Sequence, residues 1–253
     1  MVGQGEHGHR AAMSESQGPL PVRADKIMRT AFAVVFSVLI VVCAAAADPI
    51  GRYWSHWAAD PKNGGQSTVV VRQTGGTYHI DWGDNGGTGA GFGILNKDLL
   101  AVTHTEKDWS GFLLLGEDGE GWVGPYANLD GAIAGMERWD IADQNAKPPK
   151  PPAMNAKITG RYVMSGSNPD GSTYSGQVVV KRAGNLLQVV SVVGDDQRIG
   201  AGITYRDGFA VIFSDEETKL LKLFKVAGGG LTGFWASDGS AQMGAESWVR
   251  FAQ

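Results

Sequence analysis

The 253-residue chain carries 22 Lys and Arg against 26 Asp and Glu, a formal net charge of −4, and a single cysteine. No basic cluster is dense enough for a nucleic-acid surface, and the mild acidity bears on solubility rather than on a partner. One cysteine allows no internal disulfide framework, so a fold outside the cytosol must rest on burial in its own cores.

The chain opens with a leader. Arg23, Lys26 and Arg29 precede an apolar run over residues 31–42, broken only by Ser37, and Ala44–Ala47 follow it. That order predicts a secretory signal over residues 1–47, cleaved after Ala47. The run is short for a membrane span, so no membrane part is expected after cleavage. Met28 would give the signal ordinary proportions as a start. Val42 before Cys43 fits a lipidation site poorly. The expected location is secreted or periplasmic. From Asp48 onward the chain holds 18 basic and 23 acidic residues and no cysteine.

Two copies of one unit follow, at a constant offset of 109 residues. Gly51-Arg52-Tyr53 returns as Gly160-Arg161-Tyr162, and Val69–Val71 as Val178–Val180. Gly124, Gly135, Glu137 and Trp139 return as Gly233, Gly244, Glu246 and Trp248. An offset that never drifts predicts two copies of one fold, at 48–141 and 158–253. The 142–157 segment between them contains four prolines in the five positions Pro148–Pro152. It predicts an extended spacer that holds the copies apart.

The second copy shows the strand rhythm most clearly. Turn-forming clusters at Asn168–Gly171, Ala183–Asn185, Gly194–Asp196, Arg206–Gly208, Asp215–Glu217, Gly228–Gly230 and Ser237–Gly239 separate eight runs rich in β-formers. The runs are Arg161–Ser167, Thr173–Arg182, Leu186–Val193, Arg198–Tyr205, Phe209–Ser214, Lys219–Val226, Leu231–Ala236 and Gln242–Phe251. Tight turns make consecutive strands antiparallel neighbours. An open meander of eight would leave two bare edges, and closure removes them. The expectation is all-β: two tandem eight-stranded antiparallel up-and-down barrels. Gly91 and Gly93, repeated as Gly200 and Gly202, mark close backbone approach in tightly coiled strands.

The Gly51-x-Tyr53 and Gly160-x-Tyr162 openings resemble the Gly-x-Trp start of the calycin superfamily, which includes lipocalins and avidins. That resemblance implies a small barrel that can enclose one ligand. The copies also resemble a secreted bacterial repeat sometimes labelled fibronectin-binding. Gly160-Arg161-Tyr162, Asn168-Pro169-Asp170-Gly171 and Tyr174-Ser175-Gly176 carry its opening, and Gly233-Phe234-Trp235 with Gly244-Ala245-Glu246 its ending. This second resemblance implies a protein partner such as host matrix.

Candidate site residues are few. Glu137-x-Trp139 and Glu246-x-Trp248 are the only repeated acid–aromatic pairs, and in a strand both members face one side. They read either as a seam lock, with Arg52 and Arg161 as partners, or as a ligand-reading carboxylate. Six tryptophans lie in the first copy and two in the second, so a ligand cavity is expected in the first. The ligand-binding candidates are Tyr53, Trp54, Trp82, Trp109, Glu137 and Glu246. His56, His79 and His104 occur in the first copy alone, but their spacing lacks a short ligand pair, so no metal or other cofactor is expected. There is no nucleophile elbow, and the glycine-rich Gly83–Gly89 opens no helix. The expected function is an exported, non-catalytic binding protein for a small apolar or amphipathic ligand or an extracellular protein. An inhibitor of an extracytoplasmic hydrolase is the alternative, and a metal-assisted enzyme a more distant one.

Overall fold

The computed structural model describes residues 48–251, apart from 60–63, 84–88, 108, 120, 130–132, 151, 153–154 and 216–217. The leader read as a signal peptide, Cys43 included, lies outside the described residues, as does most of the Gly83–Gly89 connection.

The first copy forms β1 (Gly51–Ala58), β2 (Gly64–Thr74), β3 (Thr77–Trp82), β4 (Gly89–Asn96), β5 (Leu99–Glu106), β6 (Trp109–Asp118), β7 (Gly121–Asn128) and β8 (Ile133–Asp140). The second forms β9 (Gly160–Ser167), β10 (Thr173–Ala183), β11 (Leu186–Val193), β12 (Asp196–Tyr205), β13 (Gly208–Ser214), β14 (Lys219–Ala227), β15 (Gly230–Ser237) and β16 (Gly244–Arg250). Each set is an antiparallel meander closed into a barrel, β8 pairing β1 and β16 pairing β9. Both close in the same register: Glu137 stands opposite Trp57, and Glu246 opposite Gly166, the residue 109 positions after Trp57. Residues that share the inner face alternate along each strand, and each barrel has its own core around Trp139 or Trp248.

Local chemistry fits the sequence cues. The Asn168–Gly171 turn is closed by Gly171 N–H donating to Asn168 O at 2.9 Å, with Gly171 at φ 86°, a conformation that suits glycine. Gly91 is a point of close approach, because a Cβ there would sit 1.7 Å from the Thr103 carbonyl oxygen. The tyrosine of each Gly-x-Tyr opening straps the incoming chain across one end of its barrel. Tyr53 donates to Pro49 O at 2.9 Å, and Tyr162 to Ile158 O at 2.6 Å, again at matching positions.

The spacer does not hold the copies apart. They pack side by side through the outer faces of β4–β7 and β12–β15, within one compact unit. The shared core joins Phe92, Ile94, Ala101, Phe112, Leu114 and Ala127 to Ile203, Ala210, Ile212, Leu221, Leu223 and Ala236. Five of these residues in one barrel are the 109-offset counterparts of five in the other. Two contacts even join equivalent positions: Leu99 lies against Gly208, and Ser110 accepts a hydrogen bond from Lys219 Nζ at 2.8 Å. The packing therefore follows a pseudo-twofold axis, the geometry of a symmetric dimer written into one chain. Lys225 adds a charged rim, reaching Asp98 at 2.6 Å and Asp207 at 2.8 Å. Apolar burial between the barrels outweighs the reach of a proline-rich tether, which sets a maximum separation and no minimum.

Candidate functional site

The inner face of the first barrel holds a cavity of about 550 Å³, within the range of small-molecule sites. Trp57, Trp82, His104, Trp109, Tyr126 and Glu137 line it, with Gln66, Ser67, Glu106 and Asn128. Trp82 stacks on His104 with ring centroids 4.0 Å apart and planes 4° apart. Trp109 meets His104 edge-on at 4.7 Å and donates its indole N–H to Asn128 Oδ1 at 2.6 Å. These contacts hold the aromatic walls in place without filling the space between them.

Glu137 is the polar centre of the cavity. It comes from β8 and is 4% exposed. Three donors converge on its Oε1: Trp139 Nε1 at 2.6 Å, Ser55 Oγ at 2.7 Å and Trp82 Nε1 at 3.1 Å. Among the described residues no hydrogen bond goes to Oε2 and no cation pairs with the carboxylate. Burial pushes its pKa up, and the three donors pull the other way. Burial together with the Glu137 charge also pushes the Tyr126 phenol up to about 12.

The expected seam partners of the carboxylates are elsewhere. Arg52 and Arg161 are exposed, because they alternate with the inward Tyr53 and Tyr162. Arg138, next to Glu137, faces outward and pairs with Asp118 at 2.6 Å.

Of the residues singled out by sequence, Trp82, Trp109 and Glu137 meet in the cavity. Tyr53 is inside the same barrel but belongs to its strapped end, 6.0 Å from the Trp139 ring. Trp54 lies on the opposite face of β1 from Tyr53 and Ser55, half-buried outside the barrel; Trp57 is the β1 tryptophan of the cavity. The three histidines do not converge. His79 is exposed and bonded to Asp81 at 3.0 Å, His104 is inside, and no group of three potential ligands gathers among the described residues.

The second barrel is built differently at the matching positions. Glu246 is met by Lys222 Nζ at 2.8 and 2.7 Å, by Tyr174 Oη at 2.5 Å and by Trp248 Nε1 at 2.5 Å. The Lys222 and Glu246 side chains are 5% and 0% exposed. Burial draws the Lys222 ammonium below the ordinary lysine range, and Glu246 opposes this. Lys222 stands where the first barrel has Leu113. Met164 replaces Ser55, Phe213 replaces His104, and Ser191 replaces Trp82. Tyr174 lies over Gly166, whereas in the first barrel Trp57 lies over Gly65 from the other strand of the pair. An open depression of about 870 Å³ lies along β9, β10, β15 and β16 with Glu246 among its lining residues, and the carboxylate there is held by its own partners.

His104 gives a test of the site's electrostatics. Among the described residues its Nε2 is buried without a partner, and burial lowers its pKa to about 4, so the ring is neutral near pH 7. The unfolded chain, with an ordinary histidine near 6.5, binds the proton first as pH falls. Stability is therefore lost between about pH 6.5 and 4, by about 2 kcal/mol at pH 4.5. His104→Phe, which copies Phe213, is expected to remove this loss in urea titrations at pH 7 and 4.5. Glu137 contributes the opposite slope in both proteins and cancels in the comparison. An equal acid-induced loss in the variant would refute the assignment.

No family model matches the sequence, and no curated protein matches it. A candidate outer membrane protein of Bacteroides fragilis NCTC 9343, known from a crystal structure, aligns over 80% of this chain and 98% of its own. The two are 11% identical, with a TM-score of 0.28. A likeness that loose carries no argument about fold or role.

Proposed function

We propose that the protein is an exported, non-catalytic binding protein whose first barrel encloses one small amphipathic ligand. The observation that carries this reading is the aromatic-walled cavity around the buried carboxylate of Glu137. The second barrel, filled by its own Lys222, Met164, Phe213 and Tyr174, acts as the structural partner that buries the outer face of the first. The leader at residues 1–47 supports export. The closed meander is what the calycin resemblance implies for a ligand holder.

The test uses a neutral apolar dye, N-phenyl-1-naphthylamine. Its fluorescence is expected to rise on mixing with the native protein and to stay low with Ser55→Met, which copies the filling residue Met164. No rise with the native protein, or an equal rise with the variant, would overturn cavity binding. An equal rise would instead point to a surface site.

A further inference from the structure

We propose that the ligand of the first barrel is an organic ammonium: a protonated primary or secondary amine on an apolar or aromatic body. Its nitrogen would sit against Glu137 as Lys222 Nζ sits against Glu246. This rests on the reading of the cavity as a binding site and names what that site selects.

The chain contains its own comparison. Glu137 and Glu246 occupy the same place in two barrels closed in the same register, opposite Gly124 and Gly233 on the neighbouring strand. In the second barrel an ammonium on β14 bonds both carboxylate oxygens. In the first, the matching residue of β6 is Leu113, which brings no donor. Among the described residues the indole and hydroxyl donors of the first barrel crowd Oε1 alone, leaving Oε2 for a donor that arrives from outside. In the second barrel the place of that ammonium is taken by Lys222 Nζ.

The walls favour a cation. The described residues lining the cavity include two acids, Glu106 and Glu137, and neither lysine nor arginine. The rings of Trp57, Trp82, Trp109 and Tyr126 suit both an ammonium and an aromatic body. The second barrel shows the same pairing in miniature, with Lys222 Nζ 5.3 Å from the Phe213 ring centre, the position of His104 in the first. An anionic ligand would meet two carboxylates and no counter-charge. A neutral one would leave the buried carboxylate without a cation.

Calorimetric titration with phenethylamine, phenethyl alcohol and 3-phenylpropionate separates these cases. The amine is expected to bind at least about tenfold more tightly than the alcohol, and the acid more weakly still. Glu137→Gln keeps the shape and the Oε1 acceptor, and is expected to erase the preference for amine over alcohol. Leu113→Lys installs the second barrel's internal ammonium and is expected to abolish amine binding while circular dichroism shows an intact fold. Equal binding of amine and alcohol, or a Glu137→Gln variant that still prefers the amine, would overturn the proposal. Dye binding without amine binding would overturn the ammonium assignment and leave the cavity reading standing. Failure of the dye as well would end both.

Discussion

Replacing Lys222 by leucine, the residue that the first barrel carries at that position, is expected to cost about 3–5 kcal/mol of stability at pH 7. The substitution changes volume little, so the loss measures charge rather than packing. Glu246 has a side chain with no exposed surface, and among the described residues it keeps after the change only its Tyr174 and Trp248 donors. These donors stabilise a carboxylate, but they bring no net positive charge to offset its desolvation. Urea titration at pH 7 checks this statement. A loss below about 1 kcal/mol at pH 7 would mean that the pair contributes little beyond shape. In the first barrel, which carries the leucine, the carboxylate is held instead by the Trp139, Ser55 and Trp82 donors and lines a cavity.

Leu114→Asp is expected to disrupt the association of the two barrels, at a cost on the order of 4 kcal/mol or more. Leu114 is fully buried on the outer face of β6, against the second barrel, and its counterpart Leu223 is fully buried on β14. A carboxylate there has no cation among the residues of the shared core, so it must separate the barrels to reach water. The native protein is expected to melt in one calorimetric transition, because each barrel depends on the other to cover its apolar flank. The variant is expected to melt in two, with a larger radius of gyration by solution scattering. A variant that melts once at the native temperature would show that the flank can be exposed without penalty. The tether between the copies keeps their effective concentration high, so the variant barrels are expected to remain near one another without being docked.

The architecture was legible because its signals are local. Turn residues such as Asn168–Gly171 fix hairpins within a few positions, and a repeat that never drifts copies the strand order from one half to the other. The cavity was partly legible. The excess of tryptophan in the first copy and the repeated Glu-x-Trp pointed to Trp82, Trp109 and Glu137. Trp54 lies outside the barrel for a reason the sequence already contains. Tyr53 and Trp54 are neighbours on one strand and cannot share a face, so one had to lie outside. Which one depends on the strap from Tyr53 to Pro49, a tertiary contact. Tyr126 and Trp57 were missed because aromatics on five different strands meet only after closure. The docking of the barrels also had a readable trace. Residues Leu99–Val102, Phe112–Leu115 and Phe209–Phe213 are continuously apolar, whereas a strand wetted on one side alternates.

The sequence alone determined the number of barrels, the order and pairing of their strands, and the acid repeated in each, since these follow from neighbour-to-neighbour chemistry and from duplication. Tertiary structure alone decided that the barrels lean on one another and that one carboxylate is answered from within while its twin is not. The reason is physical. A charge on one strand is satisfied or left open by groups brought to it from other strands, and only closure brings Lys222 to Glu246, while the first barrel carries Leu113 at the position matching Lys222.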